Sequence, residues 1–553
     1  MPRRNALKIS LLLTLLALSY CYSLVSQYDV TSRGELLEPY AVGKGDLGPP
    51  QMHGSPASQT ERVIVLLAEL SDAPNSTSAV TINSTIFDEM ATYYSEVSYN
   101  ELIVAGNITE WIQLSNSTIQ YGKNTGTAPE GIDDVDSDEV PDAWWLLRDV
   151  VSKTDDTLNF AAYDIVMVVH SGGDEARSGV DNDIWSAYYY GLEIPTNDGV
   201  IITSGIVISE EDPLGIFAHE FGHSLGLPDL YSYSGPELVG NWDLMAMGSW
   251  LGSPQGSSPS HPTSWCKLQL GWIGNDSLLI GRSIQGVVDR LELKGNNITA
   301  IKIPLTTDTY YLVEVRQKVL YDSYLPTVGV LILYVDESLT SGKGIVRVKY
   351  SQSLSAATYT ASIGNNMYID STSNVNVTVL SAYSSSYSVS VGLINPDMTA
   401  PSINVVTPVP WTLPPTQPGR VVALITDVGS NSSSVKNATV AYSSDGGHTW
   451  NHIAMDPSPH DRYTAVIPPQ NSSQVSYYIE AYDYAGNLAI ANNSGHYYVY
   501  GIDVPALVVA GIVITIGALI CIAAAISFRR RRPQKVATLD AKLQVQSSVS
   551  GNL

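Results

Sequence analysis

The stretch His219-Glu220-Phe221-Gly222-His223-Ser224-Leu225-Gly226-Leu227-Pro228-Asp229 decides how this chain is read. On a helix, residues four apart share a face, so both imidazoles can reach one ion while Glu220 points beside it toward a metal-bound water. The residues before it write a helix start, with Asp212 as N-cap and Pro213 at the first helical position. Leu214, Phe217, Phe221 and Leu225 recur at three- and four-residue spacing and form an apolar stripe for the core. Gly226 can adopt a left-handed conformation and end the helix, which lets the chain double back and offer Asp229 as a third ligand. Three protein ligands leave one position on a zinc ion for water or a carbonyl oxygen. The expected site is therefore Zn2+ held by His219, His223 and Asp229, with Glu220 as general base.

Around this helix, strands and helices alternate. Residues 63–70 read as a buried strand and 86–97 as an amphipathic helix. Residues 164–170 and 200–208 are further strands, β-branched and bounded by Gly, Ser or Asn. The pattern implies an α/β catalytic domain over 62–275. From 276 to 395 short alternating strands give an all-β domain, and a Pro-rich linker, 396–418, follows. Residues 419–502, with a start possible near 399, have the strand spacing of an immunoglobulin- or fibronectin-like β-sandwich.

The two ends read differently. Arg3, Arg4 and Lys8 precede an uncharged apolar run, the order of a secretory signal over 1–23. An uncleaved anchor is the alternative, though the run is short for a bilayer. Residues 24–61, rich in Gly, Pro, Ser and Gln, read as a linker or pro-segment. Residues 504–528 carry no charge and would span about 37 Å at ~1.5 Å per helical residue, enough for a transmembrane helix. Arg529 to Arg532 and Lys535 follow, which would place a tail, 529–553, in the cytoplasm. The expected localisation is a single-pass cell-membrane protein with its catalytic domain outside. Asn-x-Ser/Thr sequons such as Asn75 and Asn107 fit that side of the membrane.

Composition narrows the function classes. At 553 residues the chain has room for several cores, and 44% hydrophobic against 15% charged residues argues against wholesale disorder. A net charge of −25 with only 29 Lys and Arg disfavours a phosphate-neutralising face, so nucleic acid is not an expected partner. Bound cations suit it better. Of the three cysteines, Cys21 and Cys521 lie in the apolar ends, which leaves Cys266 alone and no disulfide within the exterior part. Asp133, Asp134, Asp136, Asp138 and Glu139 could hold structural Ca2+, but they lack EF-hand spacing and a solvated acidic loop explains them as well. His170 and His261 could be extra ligands or substrate contacts, but His170 ends a strand and His261 stands beside Pro262, so both read as structural. Ser443-Ser-Asp-Gly-Gly-His-Thr-Trp450 resembles a single Asp-box, a hairpin turn with Trp450 packed beneath it.

Gly226 and Asp229 stand at the offsets of the metzincin signature, and Asn241-Trp-Asp-Leu-Met245 resembles the methionine turn that floors the metal in those enzymes, with Met247 as the other candidate for it. Further stretches extend the likeness across about 62–337: Tyr93 to Leu102, Tyr163 to Gly172, Asp183 to Ser186, Trp242 to Trp250, Trp265 to Trp272 and Tyr311 to Lys318. In these the chain resembles the immune inhibitor A-like family of secreted metallopeptidases. The resemblance implies a metzincin-like zinc endopeptidase acting on extracellular proteins or peptides, a following β-rich region, a preceding pro-segment and often bound calcium. One departure is Asn100, where glycine would be expected. Two alternatives stay open: a non-enzymatic surface adhesin or receptor that keeps the fold, and a gluzincin that takes its third ligand from a later glutamate.

Overall fold

The computed structural model describes residues 40–42, 59–123, 142–407, 412–429 and 431–502. The expected signal, most of the 24–61 segment, the acidic run 133–139, the apolar stretch 504–528 and the tail lie outside these residues. The chain divides into two units, the first ending its main span at Asp229 and taking in Ser253–Ser257, the second formed by Leu230–Gly252 and the residues from Ser258 onward.

The first unit is a mixed sheet with helices. Its strands are β1 (Tyr40–Val42), β2 (Gln59–Glu69), β3 (Leu102–Ile108), β4 (Ile112–Gln113), β5 (Ile165–His170), β6 (Ala187–Pro195) and β7 (Ile201–Ser209). They lie in the order β1-β6-β7-β5-β2-β3, with β4 also on β2. Strands β2, β3, β5 and β7 run parallel, whereas β6 is antiparallel to β7 and to β1. Parallel strands covered on both faces read as unbroken apolar runs. Ile165-Val-Met-Val-Val169 in β5 is buried at every position for that reason.

The covering helices come from amphipathic stretches. Trp144–Thr154 turns Leu146, Leu147, Val150 and Val151 inward, into a core shared with Ile64, Leu66, Val168 and Val207. A continuous helical run is built of Ala79–Ser84, a π-helical stretch Thr85–Met90 and Ala91–Val97. It buries Ile86, Met90, Tyr93, Tyr94 and Val97. The run ends where Tyr99 and Asn100 both take positive φ, at 61° and 65°. A left-handed residue is the reason glycine would suit position 100, and asparagine is the side chain that tolerates it best.

The second unit is β-rich. A five-stranded sheet runs Val346–Lys349, Gly329–Asp336, Thr309–Arg316, Ala300–Pro304, Leu278–Ile280, and a four-stranded one runs Met367–Asp370, Val375–Ala382, Ser386–Gly392, Ile284–Asp289. Val313 and Ile332 of the first share one core with Val377 and Val389 of the second. A separate core, with Val421, Val440, Ile467 and Ile479, lies between the two sheets of a C-terminal sandwich. One sheet holds Ser402–Thr407, Gly419–Thr426, Arg462–Ile467 and Asp456–Ser458; the other is centred on Gln474–Asp483 and Val435–Ser443. The chain is thus multidomain and mostly β-sheet. The Asp445 carboxylate closes its turn by accepting from the main-chain N–H of His448 and Thr449, and Trp450 packs edge-on against Tyr478.

The expected placement as a single-pass cell-membrane protein is corrected here. No helix among the described residues is long and apolar enough to cross a membrane. The helical run over 79–97 carries Asp88, Glu89 and Glu96. Trp144–Thr154 and Leu214–Ser224, at 11 residues each, reach about 16 Å, roughly half of a ~30 Å hydrocarbon core. The apolar stretch on which the expectation rested, 504–528, is outside the described residues.

Candidate metal centre

The helix Leu214–Ser224 is buried from Leu214 to His223. Its start differs from the expected one. Pro213, in extended backbone, is the cap, and no side chain caps the first turn. Asp212 turns away, its carboxylate accepting from Ser186 Oγ at 2.6 Å and Ser209 N at 3.3 Å. The free N–H of Gly215 is instead satisfied by the carbonyl of Gly256 at 2.8 Å. A helix needs its first amides paired, but the donor or acceptor can come from a distant loop.

The helix end follows the expectation. Gly226 has φ of 99°. Leu227 N donates to Gly222 O at 3.1 Å and Gly226 N to His223 O at 2.9 Å, the two bonds of a Schellman turn. That turn reverses the chain and returns Asp229 to the two histidines. His219 Nε2 stands 3.1 Å from Asp229 Oδ1 and His223 Nε2 stands 3.3 Å from the same oxygen. One ligand atom from each of the three residues lies within 4.8 Å of the others.

These spacings fit zinc. Tetrahedral bonds of about 2.0–2.1 Å separate neighbouring ligand atoms by about 3.3 Å. The imidazole rings are perpendicular, with centroids 4.8 Å apart. His223 Nδ1 lies 2.7 Å from the Leu227 carbonyl and can only donate there, which leaves the Nε2 lone pair for a metal. All three side chains are buried.

Glu220 is buried too, and its Oε2 receives no hydrogen bond from the protein. Burial pushes its carboxyl up to about 7, against the lowering pull of His219 and His223 and with added repulsion from Asp229 and Asp174. A divalent cation beside it would draw this value back down. Burial alone would raise Asp229 as well, but the imidazoles of His223 and His219 outweigh it and hold that carboxyl well below the usual range.

Two supports were not legible in the motif. The Tyr94 hydroxyl donates to the carbonyl of Ala218, next to His219, at 2.6 Å, and its ring tilts against Phe221 at 4.8 Å. Tyr188 of β6 lies near-parallel to the His223 ring at 6.4 Å. Tyr94 belongs to the Tyr93 to Leu102 stretch, whose likeness to a family gave no role to any one residue.

The remaining candidates stand apart from this group. His170 and His261 are fully buried and not among its ligands; His170 Nδ1 lies 3.0 Å from Ser171 O, and His261 Nδ1 lies 3.2 Å from Lys267 Nζ. Met245 is wholly buried, and its N–H donates to Asp243 Oδ1 at 2.7 Å, whereas Met247 is 43% exposed. Cys266 is buried, free and 3.4 Å from Asp243 Oδ2.

Parts of the chain are similar to known metalloproteases. Over 245 residues, 36% of this chain and 26% of the relative, the chain is 30% identical to the pre-pro-metalloprotease PrtV of Vibrio cholerae serotype O1. Over 206 residues, 30% of this chain and 29% of the relative, it is 30% identical to immune inhibitor A of Bacillus thuringiensis subsp. alesti. The chain thus spans between a quarter and a third of the length of these curated relatives. A solved tetra-tandem repeat from the extending region of a large adhesion protein covers 38% of this chain and 48% of its own at 10% identity, with a TM-score of 0.16 that carries no argument. Residues 161–273, a span that includes His219, His223 and Asp229, match the immune inhibitor A peptidase M6 catalytic domain.

Proposed function

We propose that the chain is a zinc-dependent endopeptidase that cleaves extracellular proteins or peptides. One observation carries this reading: two imidazoles and a carboxylate meet at tetrahedral spacing, beside a buried glutamate with an unpaired oxygen. His219, His223 and Asp229 would hold the ion, Met245 would be the methionine of the turn, and the peptidase domain would extend over 62–275. Bound zinc supplies Lewis acidity, polarising a peptide carbonyl and acidifying water.

The protein's own part is proton handling and orientation. Glu220 is buried with one oxygen unpaired, so it can take a proton from the attacking water and return it to the leaving amine. His223 is held in one tautomer by Leu227 O, and the carbonyl of Ala218 is held by Tyr94. Both fix the ligands before substrate arrives, which lowers the reorganisation required in the reaction.

A binding protein that merely keeps the fold would have no use for a proton acceptor at position 220. The two readings separate in one assay. Purified chain should contain zinc and cleave a generic protein in a chelator-sensitive way; zinc without any cleavage would favour the adhesin or receptor.

A further inference from the structure

Arg316 ends the strand Thr309–Arg316 and is wholly buried. Nε and Nη2 donate to Asp322 Oδ2 at 3.0 and 2.7 Å, and Nη2 donates also to His261 O at 3.2 Å. Nη1 donates to Glu314 Oε1 at 3.2 Å and to Trp242 O at 2.7 Å. These bonds use all five N–H donors of a guanidinium, so the planar fork has one orientation. Burial alone would lower its affinity for the proton, but Asp322, Glu314 and Glu292 outweigh that and keep it charged. An arginine among buried carboxylates needs no functional reason. The bond to Trp242 O is different, because it leaves the charge cluster and enters the loop that carries Met245.

The same cluster holds that loop a second time. Asp322 Oδ1 accepts from His261 N at 2.8 Å, which fixes the segment whose Thr263 N donates to Asp243 Oδ2 at 2.6 Å. The other oxygen, Asp243 Oδ1, accepts from Met245 N at 2.7 Å. Trp242, Asp243, Leu244 and Met245 are all wholly buried. Met245 O in turn accepts from Leu230 N at 2.8 Å, and Leu230 is the residue after Asp229. A run of buried hydrogen bonds thus leads from Arg316 to the peptide bond beside the third proposed ligand, and no member of the run is itself a ligand.

We propose that Arg316 and Asp243 are positioning residues for Asp229: they lock the 242–245 loop, and through Met245 O and Leu230 N the loop sets where the Asp229 carboxylate stands. The inference rests on the zinc reading of His219, His223 and Asp229. Lysine cannot replace Arg316 here, because three donors on a flexible stem leave acceptors of the cluster or the loop unpaired. Groups that orient a metal ligand from outside are typically worth roughly 10–100-fold in metal affinity.

The test compares full chains carrying Arg316→Lys, Asp243→Asn or Glu292→Gln with the parent. Glu292 lies 3.6 Å from Arg316 Nε and accepts from Gln317 N, so its replacement disturbs the cluster without removing any bond traced to Met245. Zinc affinity is read by chelator competition, ligand geometry by the visible bands of the Co2+-substituted chain, and stability by urea unfolding. Arg316→Lys and Asp243→Asn should each bind zinc about tenfold more weakly or worse, with altered Co2+ bands. Glu292→Gln should lose stability and keep the parental affinity and bands. Parental affinity and bands in Arg316→Lys or Asp243→Asn would overturn the inference, and so would an equal loss of affinity in Glu292→Gln, which a general loosening of the fold would produce. Should Arg316→Lys not fold, Asp243→Asn decides. A parent that binds no zinc, or an Asp229→Ala chain that binds it as the parent does, would remove the zinc reading and this inference together, whereas failure confined to the Arg316 and Asp243 chains removes the inference alone.

Discussion

Asp229 Oδ1 lies 3.3 Å from His223 Nε2 although five residues and a chain reversal separate the two. The reversal is built by Gly226 in a positive-φ conformation and by the amide of Leu227 returning to Gly222. The same turn presents the Leu227 carbonyl to His223 Nδ1. One short loop therefore brings a carboxylate oxygen to the two histidines and sets the tautomer of His223.

Replacing Asp229 with Ala should weaken zinc binding by more than the 10–100-fold (roughly) typical of losing an outer partner of a ligand. Competition with a chromophoric chelator measures this. Unchanged affinity would point to a third ligand elsewhere, as in a gluzincin.

Glu220→Gln keeps the shape of the side chain and removes its proton affinity. Zinc content should stay at the parental level while turnover falls by about 10²–10⁴-fold, the usual weight of a general base. Cleavage at the parental rate would remove Glu220 from the mechanism.

Tyr94→Phe removes only the hydroxyl that holds Ala218 O. The loss of one buried hydrogen bond should cost about 1 kcal/mol in urea unfolding. If that bond also positions His219, zinc affinity will fall along with stability; a stability loss with unchanged affinity would leave Tyr94 a packing residue only.

His170 is fully buried, and burial pulls its imidazole down to about 4 from 6.5. Between those two values the unfolded chain binds the proton and the folded chain does not. Stability should therefore fall as pH drops from 6.5 to 4, by about 3 kcal/mol in all at ~1.36 kcal/mol per pH unit. A His170→Gln chain should show a flatter unfolding profile across that window. Parallel profiles for the two chains would exclude His170 as the source.

What was legible in the sequence is what repeats locally. Helical spacing placed His219 and His223 on one face, and a glycine at position 226 announced the turn that returns Asp229. Apolar, β-branched runs marked strands of the mixed sheet, and strand alternation marked the β-rich region. The errors and omissions share a different cause. Asp212 before Pro213 reads as a cap, yet β6 brings Ser186 to it from 26 residues upstream and wins its carboxylate. Tyr94 reaches Ala218 across 124 residues, and Arg316 reaches the Trp242 carbonyl across 74. None of these partnerships has a local period to announce it. The membrane placement rested on an apolar stretch, the basic residues after it and the sequons before it, and the described helices offer no span to support it.

The most direct test is anomalous diffraction at the zinc absorption edge from a crystal of the purified protein. A single strong peak about 2.0–2.1 Å from His219 Nε2, His223 Nε2 and an Asp229 oxygen is the predicted result. No peak among these three side chains, or a zinc ion bound by a different set of residues, would contradict the account.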